Sequence, residues 1–145
     1  MRYQAQNGNP GLDAMHAGNA GRFARRTLYW APRAISIAFI AFISMFALDV
    51  FSEGYGFSET LLALAIHLIP TFFLIAALIV AWRWEWVGAA LYAAAGTLYV
   101  WWAWSRPLSL AIKLNWIMAI AGPAFVVAAL FLAGWLARGQ LRARA

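Results

Sequence analysis

Four long apolar stretches, separated by short polar or basic segments, dominate the pattern of this 145-residue chain. They lie at about 34–51, 61–82, 86–104 and 114–136. The apolar core of a bilayer is about 30 Å thick and is crossed by about 20 helical residues, so each stretch is long enough to span it. A soluble domain of this size has too little interior to bury four such helices. The pattern therefore predicts an all-α membrane protein built as a four-transmembrane-helix bundle.

A weak internal similarity appears when the chain is aligned with itself at an offset of 53 residues. The identical pairs are Pro70 with Pro123, Phe72 with Phe125, Ala76 with Ala129 and Trp82 with Trp135. Apolar segments also match by chance. If the similarity reflects duplication, the bundle consists of two parallel helical hairpins, that is, two hairpins in the same orientation.

Polar segments flank the apolar region at both ends. Residues 1–30 are rich in Gly and Asn and lack an apolar period, so we expect a polar cytoplasmic tail. Within it, residues 21–30 mix Arg22, Arg25 and Arg26 with aromatic residues, which favours contact with lipid headgroups or an acidic partner. The transmembrane domain is predicted over 31–137, with Pro32 in the first turn of its first helix. A basic C-terminal tail is predicted over 138–145.

Lys and Arg are unevenly distributed between the two sides of the predicted spans. Cytoplasmic flanks carry an excess of these residues. One side holds Arg22, Arg25, Arg26, Arg33, Arg83, Arg138, Arg142 and Arg144, whereas the other holds Arg106 and Lys113. This bias predicts that both termini are cytoplasmic. The acidic residues of the first outer loop are then expected to face the basic residues of the second.

Composition narrows the classes of function. The chain is 65% hydrophobic and 11% charged, whereas soluble domains are roughly 25% charged. The absence of Cys excludes disulfides, thiol chemistry and Cys-ligated metals. The net charge of +6 comes from residues that flank the spans, so it does not indicate nucleic acid. No paired carboxylates, nucleophile–base set or metal-ligand cluster lies at membrane depth, so we expect no enzyme activity, metal, cofactor or small-molecule substrate.

His67 is the most informative polar residue inside the predicted spans. It lies nine positions after Ser58, about 13 Å along a helix, where an ionisable residue is by default a functional candidate. Ser44 and Thr97 are expected at a similar depth and can accept a hydrogen bond from the imidazole. We expect one interhelical hydrogen bond that fixes helix packing. The alternatives are a proton or ion relay with Asp49, a partner-subunit contact, and an axial ligand to a haem or chlorophyll-like pigment.

Prolines and small residues predict how the spans bend and pack. Pro70 and Pro123 lie inside spans two and four, where each removes an intrahelical hydrogen bond and is expected to kink the helix. Gly88 and Gly96 lie on nearly the same face of span three. Small residues on one face allow helices to approach closely in a membrane, so we expect this face to contact a neighbouring helix.

Aromatic and basic residues at the span ends are expected to anchor the protein at the membrane interfaces. The turn between spans two and three is especially rich in them, and we expect Arg83 and Glu85 there to reach water or each other. The predicted anchors are Trp30, Trp82, Arg83, Trp84, Trp86 and Trp135.

Three motifs carry a resemblance to known proteins. They are Leu48-Asp49-Val50-Phe51 with Glu53-Gly54, Ile66-His67-Leu68-Ile69-Pro70-Thr71, and Ala81-Trp82-Arg83-Trp84. They resemble a family of small uncharacterised bacterial four-span integral membrane proteins, over about residues 33–100 and more weakly over the fourth span. The resemblance implies four spans and a bacterial origin, hence the inner membrane, and implies no activity.

These patterns favour a non-catalytic accessory or scaffold subunit of a larger bacterial membrane complex. The expected partners are the lipid bilayer and other membrane-protein subunits. A small oligomeric proton or cation transporter or channel that uses Asp49 and His67 is the first alternative. A subunit that contacts a pigment or haem through His67 is the second.

Overall fold

The computed structural model describes residues 10–54 and 56–142, and every regular element within them is helical. In chain order these elements are α1 (Pro10–Met45), a 3-10 segment (Phe46–Ser52), α2 (Phe57–Arg83), α3 (Glu85–Trp104), α4 (Leu110–Trp116), a π-helical segment (Ile117–Ala121) and α5 (Gly122–Arg142). The last three follow one another without a break. The all-helical class is therefore confirmed. The ends of both predicted tails, residues 1–9 and 143–145, lie outside the described residues.

The first helix is much longer than the apolar stretch inside it. Its 36 residues extend about 54 Å, nearly twice the thickness of a bilayer core. The part apolar enough to span a membrane begins at Arg26. Residues 10–30, which the sequence predicts as part of a tail, therefore belong to α1. Their location in the cytoplasm stays a prediction. The position expected for Pro32 is wrong, because α1 begins far earlier and places this proline in its interior.

Three helical segments are long and apolar enough to cross a membrane, which indicates a membrane protein. They are Arg26–Ser52, Phe57–Arg83 and Leu110–Gln140. The predicted third span, α3, is not among them, because it combines Ala and Gly with amphipathic Trp and Tyr. Its 20 residues would extend about 30 Å. The length of α3 thus suits a bilayer, while its composition does not establish a fourth span.

The two prolines of the predicted spans lie at matching places in their helices. α2 begins at Phe57 and α4 begins at Leu110, 53 residues later, so Pro70 and Pro123 are equally far from these starts. Pro123 lies two residues after the end of the π-helical segment, and the N–H of the intervening Gly122 bonds to the Ile117 carbonyl. A proline ring crowds the carbonyl four residues before it, and a wider π turn relieves such crowding. The helix kinks and the parallel repeat stay predictions.

The core of the bundle lies toward the α2–α3 turn. α2 contributes to the core from Leu74 onward, and α3 contributes Ala89 and Tyr92, with Ala93 and Ala95 packed against it. Small residues are frequent, since close helix approach in a membrane depends on them. The core consists of Phe39, Ile43, Leu74, Ala77, Leu78, Ala81, Ala89, Tyr92, Ala124, Val127, Ala128 and Phe131.

Two glycines of α3 permit its close packing. A methyl group on Gly88 would overlap the side chain of Ala81 and lie 2.8 Å from its Cα. A methyl group on Gly96 would lie 3.0 Å from the ring of Phe125. Both glycines are buried. The packing face predicted for span three is confirmed at these positions.

Replacing Gly88 by Ala should destabilise the protein by about 1–3 kcal/mol, because an overpacked contact forces the backbones of α2 and α3 apart. Thermal unfolding in detergent micelles measures the effect. Gly139→Ala is the matched control, since nothing lies within 4 Å of the added methyl group and Ala favours a helix by roughly 0.5–1 kcal/mol. Equal melting of the two variants would contradict the close α2–α3 contact.

Candidate functional site

His67 lies on the face of α2 that packs into the bundle, yet its side chain is exposed. Thr71, Leu74 and Leu78 follow it at four, seven and eleven positions, on the same face of the helix. All three are buried, whereas His67 is exposed and Ala63, one turn before it, is only half-buried. The inner face of α2 is therefore covered from Thr71 to Leu78 and less covered at His67 and Ala63. We call the uncovered part, Ala63 and His67, the His67 opening.

The imidazole of His67 forms its hydrogen bond within its own helix. Its Nδ1 lies 2.8 Å from the carbonyl oxygen of Ala63. A carbonyl oxygen can only accept, so Nδ1 carries the proton and donates it. In the neutral ring, Nε2 is then a hydrogen-bond acceptor. The side chain of His67, which carries this acceptor, is exposed among the described residues.

The interhelical hydrogen bond expected from His67 to Ser44 or Thr97 is wrong. The hydroxyl of Ser44 donates to the Ile40 carbonyl in its own helix at 2.8 Å and lies 3.4 Å from the hydroxyl of Thr71, a polar contact between α1 and α2. The hydroxyl of Thr97 donates to the carbonyl of Ala93 in its own helix, at 2.9 Å. Short hydroxyl side chains commonly satisfy themselves in this way in helices.

Asp49 lies in the 3-10 segment between α1 and α2 and is exposed. Its backbone carbonyl accepts a hydrogen bond from the Ser52 hydroxyl at 2.6 Å. His67 lies about 15 Å along α2 from its start at Phe57. Among the described residues, the hydrogen bonds of Asp49 and His67 thus go to Ser52 and Ala63 rather than to each other.

The charged residues of the outer loops make local contacts. The carboxylate of Glu59 accepts a hydrogen bond from the Gly56 N–H at 3.2 Å, at the start of α2. The ammonium of Lys113 donates to the carbonyl of Trp104 at 2.9 Å. Within the described residues, the ion pairs of the protein lie instead at the opposite end of the bundle. The expected pairing of the two outer loops is therefore wrong.

The predicted interface anchors are exposed, and four of the six lie at the α2–α3 turn. The predicted basic contacts lie in the first half of α1. There Arg22 donates to the side-chain oxygen of Asn19 at 2.6 Å, and Arg26 is exposed. The side chain of Arg25 lies outside the described residues. The exposed anchors are Trp30, Trp82, Arg83, Trp84, Trp86 and Trp135.

A buried group of charges that the sequence pattern does not predict joins α1, α3 and α5. Arg33 of α1 is 1% exposed, and Glu85, the first residue of α3, is 7% exposed. Nη2 of Arg33 lies 3.2 Å from Oε1 of Glu85, and Arg138 of α5 pairs with the same oxygen. We call Arg33, Glu85 and Arg138 the ion cluster. The expectation that Glu85 reaches water or Arg83 is wrong, because helix packing buries this carboxylate.

Aromatic rings surround the guanidinium of Arg33. Its central carbon lies 3.7 Å from the centroid of the Tyr29 ring, one turn earlier in α1. The rings of Trp82 and Phe131 lie at 6.0 and 5.9 Å. Arg33 also donates to the Tyr29 carbonyl. Cation–π contacts strengthen when water is excluded, so these rings offset part of the cost of burying the charge.

Gly134 gives the carboxylate of Glu85 its space. A Cβ at this position would lie 3.2 Å from Oε2 of Glu85 and 3.5 Å from the carbonyl oxygen of Leu28. That carbonyl lies four residues before Pro32, which has no N–H to donate to it. At Gly134, α5 therefore lies close to both α1 and α3, beside the ion cluster. Oε2 of Glu85 and Nε of Arg33 are buried there and have no hydrogen-bond partner among the described residues.

One feature of the sequence could have pointed to this cluster. The chain has five acidic residues, and Glu85 is the one that begins an apolar helix, on the side predicted to hold most arginines. A lone carboxylate in such surroundings favours an ion pair. The sequence cannot select its partners, since Arg83 is the nearest arginine in the chain and the pairs form with Arg33 and Arg138.

A pocket of about 570 Å³ opens beside the ion cluster, between the α2–α3 turn and the end of α5. The side chain of Arg138 is 48% exposed, so it pairs with Glu85 and still borders the pocket. Three arginines and one glutamate give this region a net charge of +2. The pocket is lined by Trp82, Arg83, Trp84, Glu85, Trp86, Trp135, Leu136, Arg138, Gly139 and Gln140.

The described part of the chain is all-helical, and three of its helical segments are apolar and long enough to span a bilayer. These features indicate an all-helical membrane protein, with a buried ion cluster at one end of its bundle. The chain belongs to the family described as Domain of unknown function (DUF7670), whose model matches residues 21–144. Membership of an uncharacterised family is thereby confirmed. No curated protein and no solved structure matches the chain.

Replacing Glu85 by Gln should destabilise the protein by about 3–5 kcal/mol, because Arg33 would stay buried without a counter-charge. The double variant Arg33→Met with Glu85→Gln should recover most of this loss. It removes both buried charges, and the half-exposed Arg138 can then be solvated. Unfolding in detergent micelles, followed by circular dichroism, measures both effects.

Glu59→Gln is the matched control for this series, because Glu59 is an exposed carboxylate at the start of the preceding helix. It should cost about 1 kcal/mol or less. A double variant that is no more stable than Glu85→Gln would show that the buried charge of Arg33 is not the cause of the loss.

Proposed function

We propose that this protein is a non-catalytic accessory subunit of a larger membrane assembly. A transmembrane helix of a partner protein covers the His67 opening. The observation that carries this proposal is the exposure of His67 on the inner face of α2, in a segment apolar enough to span a membrane.

The cost of exposing His67 to lipid supports this function. Ionisable side chains at membrane depth face protein or a water-filled cavity rather than hydrocarbon. An imidazole about 15 Å from the start of α2 is too short to reach the interface. A covering helix removes the ring from lipid and continues the packed face of Thr71, Leu74 and Leu78.

The hydrogen bonding of His67 defines the chemistry of the partner. Because Nδ1 donates to Ala63, the ring offers Nε2 as an acceptor. The partner helix therefore presents a donor at this depth, such as a Ser, Thr, Asn or Gln side chain. Such interhelical hydrogen bonds are worth about 0.6–2 kcal/mol in membranes. They add specificity to an interface that helix packing stabilises.

α3 is the fourth transmembrane span in this proposal. It packs against both α2 and α5, which are long and apolar enough to cross a bilayer. A helix of matching length between two spanning helices occupies the same depth, and its Trp and Tyr residues suit the interfaces. Four spans put both termini on one side, and the positive-inside bias favours the cytoplasmic side of a bacterial inner membrane.

Single cysteines at Ser58 and Ser105 should both react with a membrane-impermeant thiol reagent added from outside the cell. The natural chain has no Cys, so the background is clean. Gln140→Cys should react only after the membrane is permeabilised. If α3 does not span, Ser58 and Ser105 lie on opposite sides, and labelling at only one of them would contradict four spans.

A photo-crosslinking residue at position 67 should capture one discrete membrane protein. The same residue at Ala76 should capture none, because Ala76 lies nine positions later, on the opposite side of the helix. His67→Leu should weaken co-purification of the captured protein about fivefold, a loss of about 1 kcal/mol. His67→Gln, whose side-chain oxygen can replace Nε2 as acceptor, should retain it.

Equal crosslinking at both positions would contradict a partner at the His67 opening. An adduct formed only between two copies of this chain would replace the accessory subunit with a homo-oligomer. A proton or cation flux through the purified protein in liposomes, lost in Asp49→Asn or His67→Leu, would favour the transporter alternative.

A pigment- or haem-contacting subunit is the second candidate function, and the hydrogen bond of His67 favours it. Metal-binding histidines commonly donate one ring N–H to a backbone carbonyl, which orients the other nitrogen toward the metal. Nδ1 of His67 makes such a bond with Ala63. A visible absorption band in the purified protein that is lost in His67→Gln would support this function over a protein partner.

A further inference from the structure

We propose that the pocket beside the ion cluster binds the phosphate of an anionic phospholipid headgroup. The site is independent of the His67 opening, because it lies at the α2–α3 turn and the end of α5. It would bind lipid whether or not a partner covers His67.

The charge of the pocket favours an anion. Arg83 and Arg138 line the pocket, and Arg33 pairs with Glu85 in the ion cluster. The single carboxylate neutralises only one of these three charges. Arg138 pairs with Glu85, and its side chain, which is 48% exposed, also borders the pocket. Guanidinium groups bind phosphate oxygens with charge-assisted hydrogen bonds.

Tryptophans around an acidic side chain would also suit a quaternary ammonium ligand. The state of Glu85 argues against that ligand here. Its Oε1 pairs with two arginines, and its Oε2 is buried where a Cβ on Gly134 would approach it. The side chain is only 6% exposed, so the pocket offers a ligand positive charge rather than negative charge.

The position of the pocket favours a lipid over a soluble anion. The apolar span of α2 ends at Arg83, on the pocket wall, so the site lies at the end of a membrane-spanning segment. Trp82, Trp86 and Trp135 are each about half-exposed beside it. Such indoles lie at headgroup level in membranes. Their apolar surfaces, with that of Leu136, can contact the glycerol and upper acyl chains, which free phosphate lacks.

Native mass spectrometry and thermal melting of the detergent-purified protein test this site. Phosphatidylglycerol should bind at least about fivefold more tightly than phosphatidylcholine of the same acyl chains, and should raise the melting temperature more. Arg83→Gln should reduce phosphatidylglycerol binding about fivefold, the effect of one arginine near an anionic surface. Arg83→Lys should retain most of the binding, because it keeps the charge.

Arg106→Gln is the matched control, since Arg106 is an exposed arginine beside a tryptophan at the opposite end of the bundle. It should leave phosphatidylglycerol binding unchanged. Inorganic phosphate is added in a separate arm. An equal stabilisation by phosphate alone would overturn the assignment to a lipid headgroup.

Three results would overturn the proposal as a whole. The first is equal binding of phosphatidylglycerol and phosphatidylcholine. The second is unchanged phosphatidylglycerol binding in an Arg83→Gln variant whose melting temperature without lipid equals that of the wild type. The third is an equal loss of binding in the Arg83→Gln and Arg106→Gln variants. None of them bears on partner capture at position 67, so the failure of this proposal and that of the accessory function are distinguishable.

Discussion

The buried charge of Arg33 is the constraint on which one end of this bundle depends. A guanidinium that is 1% exposed needs a counter-charge and hydrogen-bond acceptors within the protein. Glu85 supplies the charge, and the Tyr29 carbonyl and ring supply further contacts. For these groups to meet, α3 must begin beside α1, and α5 must approach both. Gly134 permits that approach, because any larger residue would press on the Glu85 carboxylate.

The two ends of the bundle differ in how they cover the inner face of α2. Toward the α2–α3 turn, the helices enclose the ion cluster and the core, and Gly88 brings α2 and α3 into direct contact. Further along, the inner face of α2 loses its cover, and His67 is exposed on the stripe that buries Leu74 and Leu78. A closed end and an open end thus share one helix face.

These ends offer surfaces of different chemistry. The closed end has a basic, tryptophan-lined pocket at the limit of an apolar span, which suits a phosphate at headgroup level. The open end exposes His67, whose Nδ1 is bonded to the Ala63 carbonyl, in apolar surroundings that suit another helix. Breaking the buried ion pair costs about 3–5 kcal/mol, whereas one intramembrane hydrogen bond contributes about 1 kcal/mol. The ion cluster therefore contributes far more to the stability of the fold than a single hydrogen bond of His67 would.

The sequence by itself determined the helical class, the membrane-spanning character of three segments and the packing face of α3. Apolar length and the spacing of small residues are local properties that follow from helix geometry. It did not determine the partners of its polar groups. Glu85 was expected near Arg83 and pairs with Arg33 and Arg138, and His67 was expected to contact Ser44 or Thr97 and bonds to Ala63. Only the tertiary structure decided these contacts, because they depend on which helix faces meet, and many pairings of apolar helices bury nearly the same surface.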